Sequence, residues 1–484
     1  LYIAIFTTYL SGCQGNVKEQ KEPTLADIDV VGKKYRKKET SLDKKSQDDI
    51  RAEYYKYIET ATENDNSRKA ALTRLAKLEI ELSNKMLKES ANENPLSPEY
   101  SQSLNKTIDL LETTLADYPK AEDNDKILYQ LAQAYDLAGE YKAAIEKLAI
   151  LVKLYPRSLH YPEAQFRIAE NSFVYGDYIT AEDAYTEVIL TPGSDKFYEK
   201  ALFKRGWTRY KQELHSEAVD DYTEAISFHK FEDYKQLSDS DKSQFDEYMR
   251  AIGLAFSYQK GDGILRDYFA DIPSFKHLYQ VYASVSSIYL KQERFSDAAD
   301  ILTQFTRYHT NSPNIPLAEL KTIETWKAGG FTKRLHNAIE QFYTRYHPDS
   351  KYWANSTNEQ IQKHITSQLR NYMVQVASYF HSRYQSKQEN LDFNKSQTWY
   401  QRYLQYYSAH ANKDNIYSLY GQLLLNAKLT SKAIKYFELA AFDGDIILDK
   451  KAAYSTISLS DELAKTDNER QQHWLNKHLL YAKR

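Results

Sequence analysis

Cysteine is nearly missing from this sequence: Cys13 stands alone among 484 residues. A single cysteine excludes an intrachain disulfide framework and any zinc site built on cysteines. It also suits an exported chain, which then has no wrong disulfide to form in an oxidising compartment. Glycine and proline are scarce, at 14 and 11. Sandwiches and doubly wound sheets need frequent turns, so the scarcity argues against both and for long helices with short loops. Neither sign of charge dominates, with 64 basic against 67 acidic residues. Such a balance leaves no basic footprint for nucleic acid. Beyond the N-terminus no segment has the ~20 uninterrupted apolar residues of a membrane span.

What is present is a hydrophobic content of 42% and a charged content of 27%, typical of a folded soluble chain. The length allows several domains or one long repeat array. Tyrosine is unusually frequent, at 42 residues. A tyrosine ring serves both cores and binding surfaces, because it buries area while keeping a polar tip.

The first residues read as an address. Leu1 to Leu10 (LYIAIFTTYL) are mostly apolar, and Leu10-Ser11-Gly12-Cys13 follows. This order resembles the lipobox of bacterial lipoprotein signal peptides. The resemblance implies lipidation of Cys13 and cleavage before it, with Ser11 and Gly12 small enough for the protease pocket. No Met and no basic segment precede Leu1, so the sequence is read as starting inside the signal peptide. The alternative is an incidental thiol at Cys13. Gln14, in a place where Asp would favour inner-membrane retention, implies the outer membrane by the same resemblance. Residues 14–47 are polar, with KKYRKK at Lys33–Lys38, and read as a flexible tether. The basic cluster is read as solvated in preference to lipid-bound.

From Asp48 onward the pattern is helical. Leu72, Leu75, Leu78 and Leu82, then Leu104, Ile108, Leu111 and Leu115, recur at three- and four-residue spacing. A longer period follows. Ala132, Ala169 and Gly206 recur every 37 residues, as do Ala144, Ala181 and Ala218, and Leu148, Tyr185 and Tyr222. Small residues let paired helices approach, and the larger residue fills the gap between units. Gly139 and Gly176 mark turns within pairs, where a left-handed conformation is often required. Pro156 and Pro192 end the second helices.

These columns resemble the tetratricopeptide repeat, a helix–turn–helix unit of about 34 residues. The resemblance implies an all-α superhelix of antiparallel helix pairs. Divergent copies fit at Ser286, Tyr289, Phe295, Ala298 and Leu302, and at Gly421, Leu424, Ala433, Phe437 and Ala440. Ala251–Phe269 and Met373–Tyr403 look like eroded helix pairs, and Phe331–Tyr346 like a second helix. Arg205 and Arg209 depart from the pattern, standing where apolar residues are usual. The expected organisation is a signal peptide over 1–13, a tether over 14–47 and an N-terminal array over 48–230. A polar linker over 231–247, a central array over 248–346, a loop over 347–359 and C-terminal repeat-like helices over 360–484 follow.

The resemblance also implies a binding groove lined by first-helix residues. In the first unit these are Lys126, Tyr129, Gln133, Asp136 and Leu137. In the second they are Glu163, Phe166, Glu170, Phe173 and Val174, and in the third Lys200, Phe203, Trp207, Tyr210 and Lys211. Aromatic residues with a few charges have the composition of a protein-binding hot spot. The competing reading is that some of these rings pack within the stack. Lys200 and Lys211 do not complete the basic clamp with which some members of the family hold C-terminal carboxylates.

No catalytic constellation stands out. There is no His-Glu-x-x-His helix, phosphate loop or nucleophile elbow, and the 12 histidines are scattered. Residues 443–484 are too few for an appended lytic domain. The sequence therefore reads as a non-catalytic scaffold without cofactor or metal. It is expected to bind proteins or peptides of a Gram-negative envelope and to be held on the outer membrane through Cys13, facing the periplasm. Two other readings stay open. One is binding of an envelope polymer such as peptidoglycan or polysaccharide, with rings stacked on sugars. The other is an enzyme on a helical scaffold, which would show a deep polar pocket with converging carboxylates.

Overall fold

The computed structural model describes residues 47–62, 66–89, 98–231, 234–259, 261, 263–273, 275–356 and 358–484. Cys13, the signal peptide and, apart from Gln47, the expected tether lie outside the described residues. The chain divides into two compact units between Pro95 and Leu96. This boundary falls inside the array expected over 48–230.

The first unit is a helix pair, α1 (Gln47–Thr60) and α2 (Asn66–Glu89). Leu72, Leu75, Ala76 and Ile80 form its buried stripe at helical spacing. Glu79 is buried among them and takes the Arg51 guanidinium at 2.7 Å.

The second unit opens with α3 (Pro98–Asp117) and continues as stacked pairs. The three regular pairs are α4 (Asn124–Ala138) with α5 (Tyr141–Leu154), α6 (Tyr161–Val174) with α7 (Tyr178–Leu190), and α8 (Asp195–Lys211) with α9 (His215–His229). Next come α10 (Asp239–Tyr258) with the short α11 (Ile264–Ala270), α12 (Leu278–Lys291) with α13 (Phe295–Tyr308), and α14 (Ile315–Ala328) with α15 (Thr332–Tyr346). A single turn, α16 (Tyr352–Asn355), precedes α17 (Glu359–Lys387) and its partner α18 (Asn390–Tyr407). Then come α19 (Lys413–Asn426) with α20 (Thr430–Ala441), a two-residue β-hairpin (Phe442–Asp443 with Ile446–Ile447), and α21 (Lys450–Thr466) with α22 (Gln471–Lys483). Apart from the short α11 and α16, successive helices of the second unit pack on one another, with α10 meeting α12 and α15 meeting α17. This is an all-α solenoid of tetratricopeptide type.

The period has the expected physical basis. Ala132, Ala169, Gly206, Ala144, Ala181 and Ala218 are all buried, as are Leu148, Tyr185 and Tyr222. A Cβ on Gly206 would come within 2.4 Å of the Tyr222 ring, and one on Gly421 within 2.9 Å of Phe437. The turns within pairs share one geometry. Gly139 sits at φ +78°, its N–H donates to Asp136 O, and the Glu140 N–H donates to Tyr135 O. This pair of bonds closes the helix end in the Schellman manner. Gly176 repeats it at φ +79°. Gly330 keeps it between α14 and α15, but in three other later pairs the same left-handed place is held by Glu213, Glu293 and Lys428. Those turns lack the glycine and are harder to read in sequence.

Two expectations are corrected. The polar segment 231–247 is not a linker throughout: α10 begins at Asp239, capped by the Ser238 hydroxyl, which accepts the Asp241 N–H at 3.1 Å. Phe231, Phe245 and Tyr248 are buried in a core cluster running from Leu202 to Ala318. The segment 347–359 is not a plain loop either. It contains α16, the Trp353 indole donates to His347 O at 2.9 Å, and the Tyr352 ring packs edge-on against Tyr346.

Candidate functional site

First helices of neighbouring pairs touch one another: α6 meets α8, α8 meets α10, α12 meets α14 and α17 meets α19. They form one layer of the second unit, and the expected groove residues lie on it. A set of polar ties joins them. Arg167 of α6 reaches Asp136 of α4 at 2.5 Å and Glu163 of its own helix at 3.0 Å. Glu170 of α6 takes Lys204 of α8 at 3.2 Å and the Tyr185 hydroxyl from α7. Burial, then the bond to Glu170, raises the Tyr185 phenol well above its ordinary pKa, so it stays a donor. Burial likewise raises the Asp136 carboxyl, against the pull of Arg167.

The structure brings together only part of the expected aromatic set. Tyr129 is half-buried and stacks on the His160 ring at 4.0 Å. Burial and the neighbouring Glu163 carboxylate push its phenol up to about 12. Phe166 is half-buried against Tyr185 and Phe197, and Phe173 against Tyr178. Gln133 is half-buried beside Tyr129, while Lys126 and Val174 are exposed. Phe203 must be withdrawn from the groove. It is 9% exposed, because Tyr248 of α10 closes over it at 4.5 Å and Tyr222 of α9 packs beside it at 5.5 Å.

What remains accessible is centred on Trp207. Tyr210 meets its edge at 5.4 Å, and Tyr258 of α10 meets Tyr210 at 5.8 Å. Arg250 of α10 lies over the Trp207 ring at 5.6 Å. A cation there is held by the ring's negative face. Burial and contact with Tyr258 push the Tyr210 phenol up to about 12. Lys200, Lys204, Trp207 and Lys211 follow i, i+4, i+7, i+11 spacing and so form one stripe along α8. Lys204 is committed to Glu170. Lys200 and Lys211 are exposed, and among the described residues neither has a side-chain partner. The patch is aromatic, half-desolvated and positively charged.

Arg250 and Tyr258 of α10 escaped the sequence reading: Tyr258 lies inside the eroded pair over Ala251–Phe269 and Arg250 just ahead of it, where no repeat column marks which residues face the groove. The available signal was Ser238 followed by Asp239 and Asp241, an N-cap with acidic residues in the first turn.

A cleft of about 790 Å³ lies between the α13–α14 connection and the 347–358 segment, lined by Ile315, Tyr346, His347, Ser350 and Tyr352 among others. Asp349 is the one carboxylate in its lining, so no acid pair converges there. Among the described residues no group of three or more His, Cys, Asp or Glu could hold a metal ion. No described helix is long and apolar enough to cross a membrane.

No family model matches the sequence, and no curated protein does. Similar solved structures include MamA, at 23% identity over 38% of this chain and 91% of that one, with a TM-score of 0.26. The apo form of RapI is 11% identical over 75% of this chain and 97% of that one, with a TM-score of 0.26. The Cut9–Hcn1 assembly of APC/C is 14% identical over 79% of this chain and 91% of that one, with a TM-score of 0.29.

Proposed function

We propose that this protein is a non-catalytic adaptor that holds an extended segment of another protein on the first-helix layer of its second unit. The observation that carries the reading is the patch of Trp207, Tyr210, Arg250 and Tyr258 flanked by the unpaired Lys200 and Lys211. Half-buried aromatic and arginine anchors supply most of the binding energy of protein interfaces. The unpaired lysines favour a segment carrying carboxylates. Polysaccharide is the weaker alternative, since Arg250 already occupies a face of Trp207 and Tyr210 meets the ring's edge. Sugar stacking needs an open face.

The finer reading is an envelope adaptor. Cys13 would carry the lipid and hold the chain on the periplasmic face of the outer membrane, where tethering raises its effective concentration near envelope partners. The support is the order of the apolar run, Ser11, Gly12 and Cys13. Palmitate labelling and globomycin-sensitive processing are expected for the wild type and lost in Cys13→Ser. Full membrane retention by that variant would remove the anchor from the account. For the groove, Trp207→Ala and Arg250→Ala should each weaken partner capture about tenfold or more while circular dichroism stays helical. Unchanged capture by both variants rules out the patch.

A further inference from the structure

Three helix pairs meet around one ring. Phe380 of α17 is buried. His336 of α15 packs against it at 5.0 Å, Lys395 of α18 lies over it at 4.8 Å, and Arg383 of α17 reaches it at 6.0 Å. The next residue, His381, is buried as well and bonds to α18 and α19. This turn of α17 therefore joins the pair before it, through His336, to the pair after it, through His381.

His381 is held neutral. Its Nε2 lies 3.3 Å from the Gln385 side-chain nitrogen, one turn on, and 3.4 Å from the Asn426 side-chain nitrogen of α19. An amide nitrogen only donates, so Nε2 accepts. The ring proton is then on Nδ1, which donates to the Tyr400 hydroxyl of α18 at 3.2 Å. A second ring proton would aim an N–H at two N–H donors. Burial holds this imidazole below the ordinary histidine range, and no charged group of α17, α18 or α19 offsets it.

His336 meets cations. Burial, then Lys395, then Arg383 hold it below the ordinary range, and α14, which also packs on α15, brings no charged group to it. Its other neighbour is the Tyr379 ring of α17 at 4.6 Å. The carboxylates nearby are taken. Glu340, one turn along α15, holds Arg402 of α18 at 2.7 Å, while Asp392 and Glu389 lie on Arg383 at 3.1 and 3.6 Å.

As pH falls below about 6.5, the unfolded chain takes up protons at both histidines and the folded joint refuses them until lower pH. Stability that is fully present above that range is lost on the way down.

We propose that the Phe380 turn of α17 is an acid-sensitive joint: proton uptake by His336 and His381 loosens α17 from α15 and α19 and lets the pairs on either side move. The joint shares no residue with the Trp207 patch.

Hydrogen–deuterium exchange on the full chain, corrected for the intrinsic rate at each pH, tests this. Between about pH 7.5 and about pH 5 the amides of α15, α17 and α19 around the joint should lose protection about tenfold or more. His336→Gln/His381→Gln keeps a polar side chain at each place and removes both titrations. It should match the wild type at the higher pH and lose about threefold or less at the lower. Lys395→Glu changes an exposed side chain and gives His336 a carboxylate neighbour. It should move the midpoint of the loss down by about half a pH unit. If the double variant is unprotected already at the higher pH, the Lys395→Glu midpoint decides alone. No loss in the wild type, an undiminished loss in the double variant, or an unmoved midpoint with Lys395→Glu overturns the joint. So does a loss of the same size across α4 to α9, which would mark general acid unfolding.

Discussion

The second and third repeat pairs solve one packing problem with different chemistry. In α6–α7 the small residue is Ala169, the turn uses Gly176, and the Tyr185 hydroxyl finds Glu170. In α8–α9 the small residue shrinks to Gly206, and the Tyr222 ring lies where its Cβ would be. There the turn is made by Glu213 at φ +64°, and the buried Tyr222 hydroxyl has no partner. Two places expected to be apolar hold Arg205 and Arg209, which both close on the buried Asp221 at 2.6 and 3.1 Å. Arg209 also takes Glu182 of α7 at 2.8 Å. The fold therefore fixes contact shape and backbone path, and leaves the chemistry of the contact open.

Breaking the charged version should cost most. Asp221→Ala leaves Arg205 without its carboxylate in a half-desolvated site, takes one of two partners from Arg209, and should destabilise the second unit by about 3–5 kcal/mol in denaturant unfolding. A loss below about 1 kcal/mol would mean that the triad is a solvated surface cluster. Gly206→Val comes next. It forces the Tyr222 ring to move and should cost about 1–3 kcal/mol, whereas Ala169→Gly should cost about 1 kcal/mol from helix propensity. Equal losses would erase the difference in closeness between the pairs.

The two tyrosines give a finer contrast. Tyr185→Phe removes the bond to Glu170 and should cost about 1–2 kcal/mol. Tyr222→Phe removes an unpartnered hydroxyl and should be neutral or slightly stabilising. The smallest effect is a gain. Glu213→Gly relieves a left-handed residue at the turn and should stabilise by about 0.5–1 kcal/mol, read as a higher unfolding midpoint. Gly176→Ala should lose a similar amount. Both changes falling in the same direction would show that the two turns are not equivalent.

This contrast also explains what could be read in advance. The columns at Ala132, Ala144 and Leu148 and their successors were legible because they reflect contact between adjacent helices, which repeats every 37 residues. Phe203 was misplaced because its cover, Tyr248, comes from the next pair, where the repeat is eroded. Segment 231–247 looked like a linker because Asp239, Asp246 and Glu247 face outward, while Phe245, Tyr248 and Met249 supply the buried side of α10. Composition averages over the two faces, and a short window hides the period. The ties from Asp136 to Arg167 and from Glu170 to Lys204 were not legible, because ordinary surface charges become partners only when first helices stack.

The central claim is that the Trp207 patch holds a protein segment. A photo-crosslinking residue placed at Lys211 of the full chain, activated in cells that express it, tests it most directly. The account predicts a discrete protein adduct that disappears with Trp207→Ala while the chain stays helical and abundant. An adduct of equal yield in that variant, or label found only on polysaccharide, would contradict it.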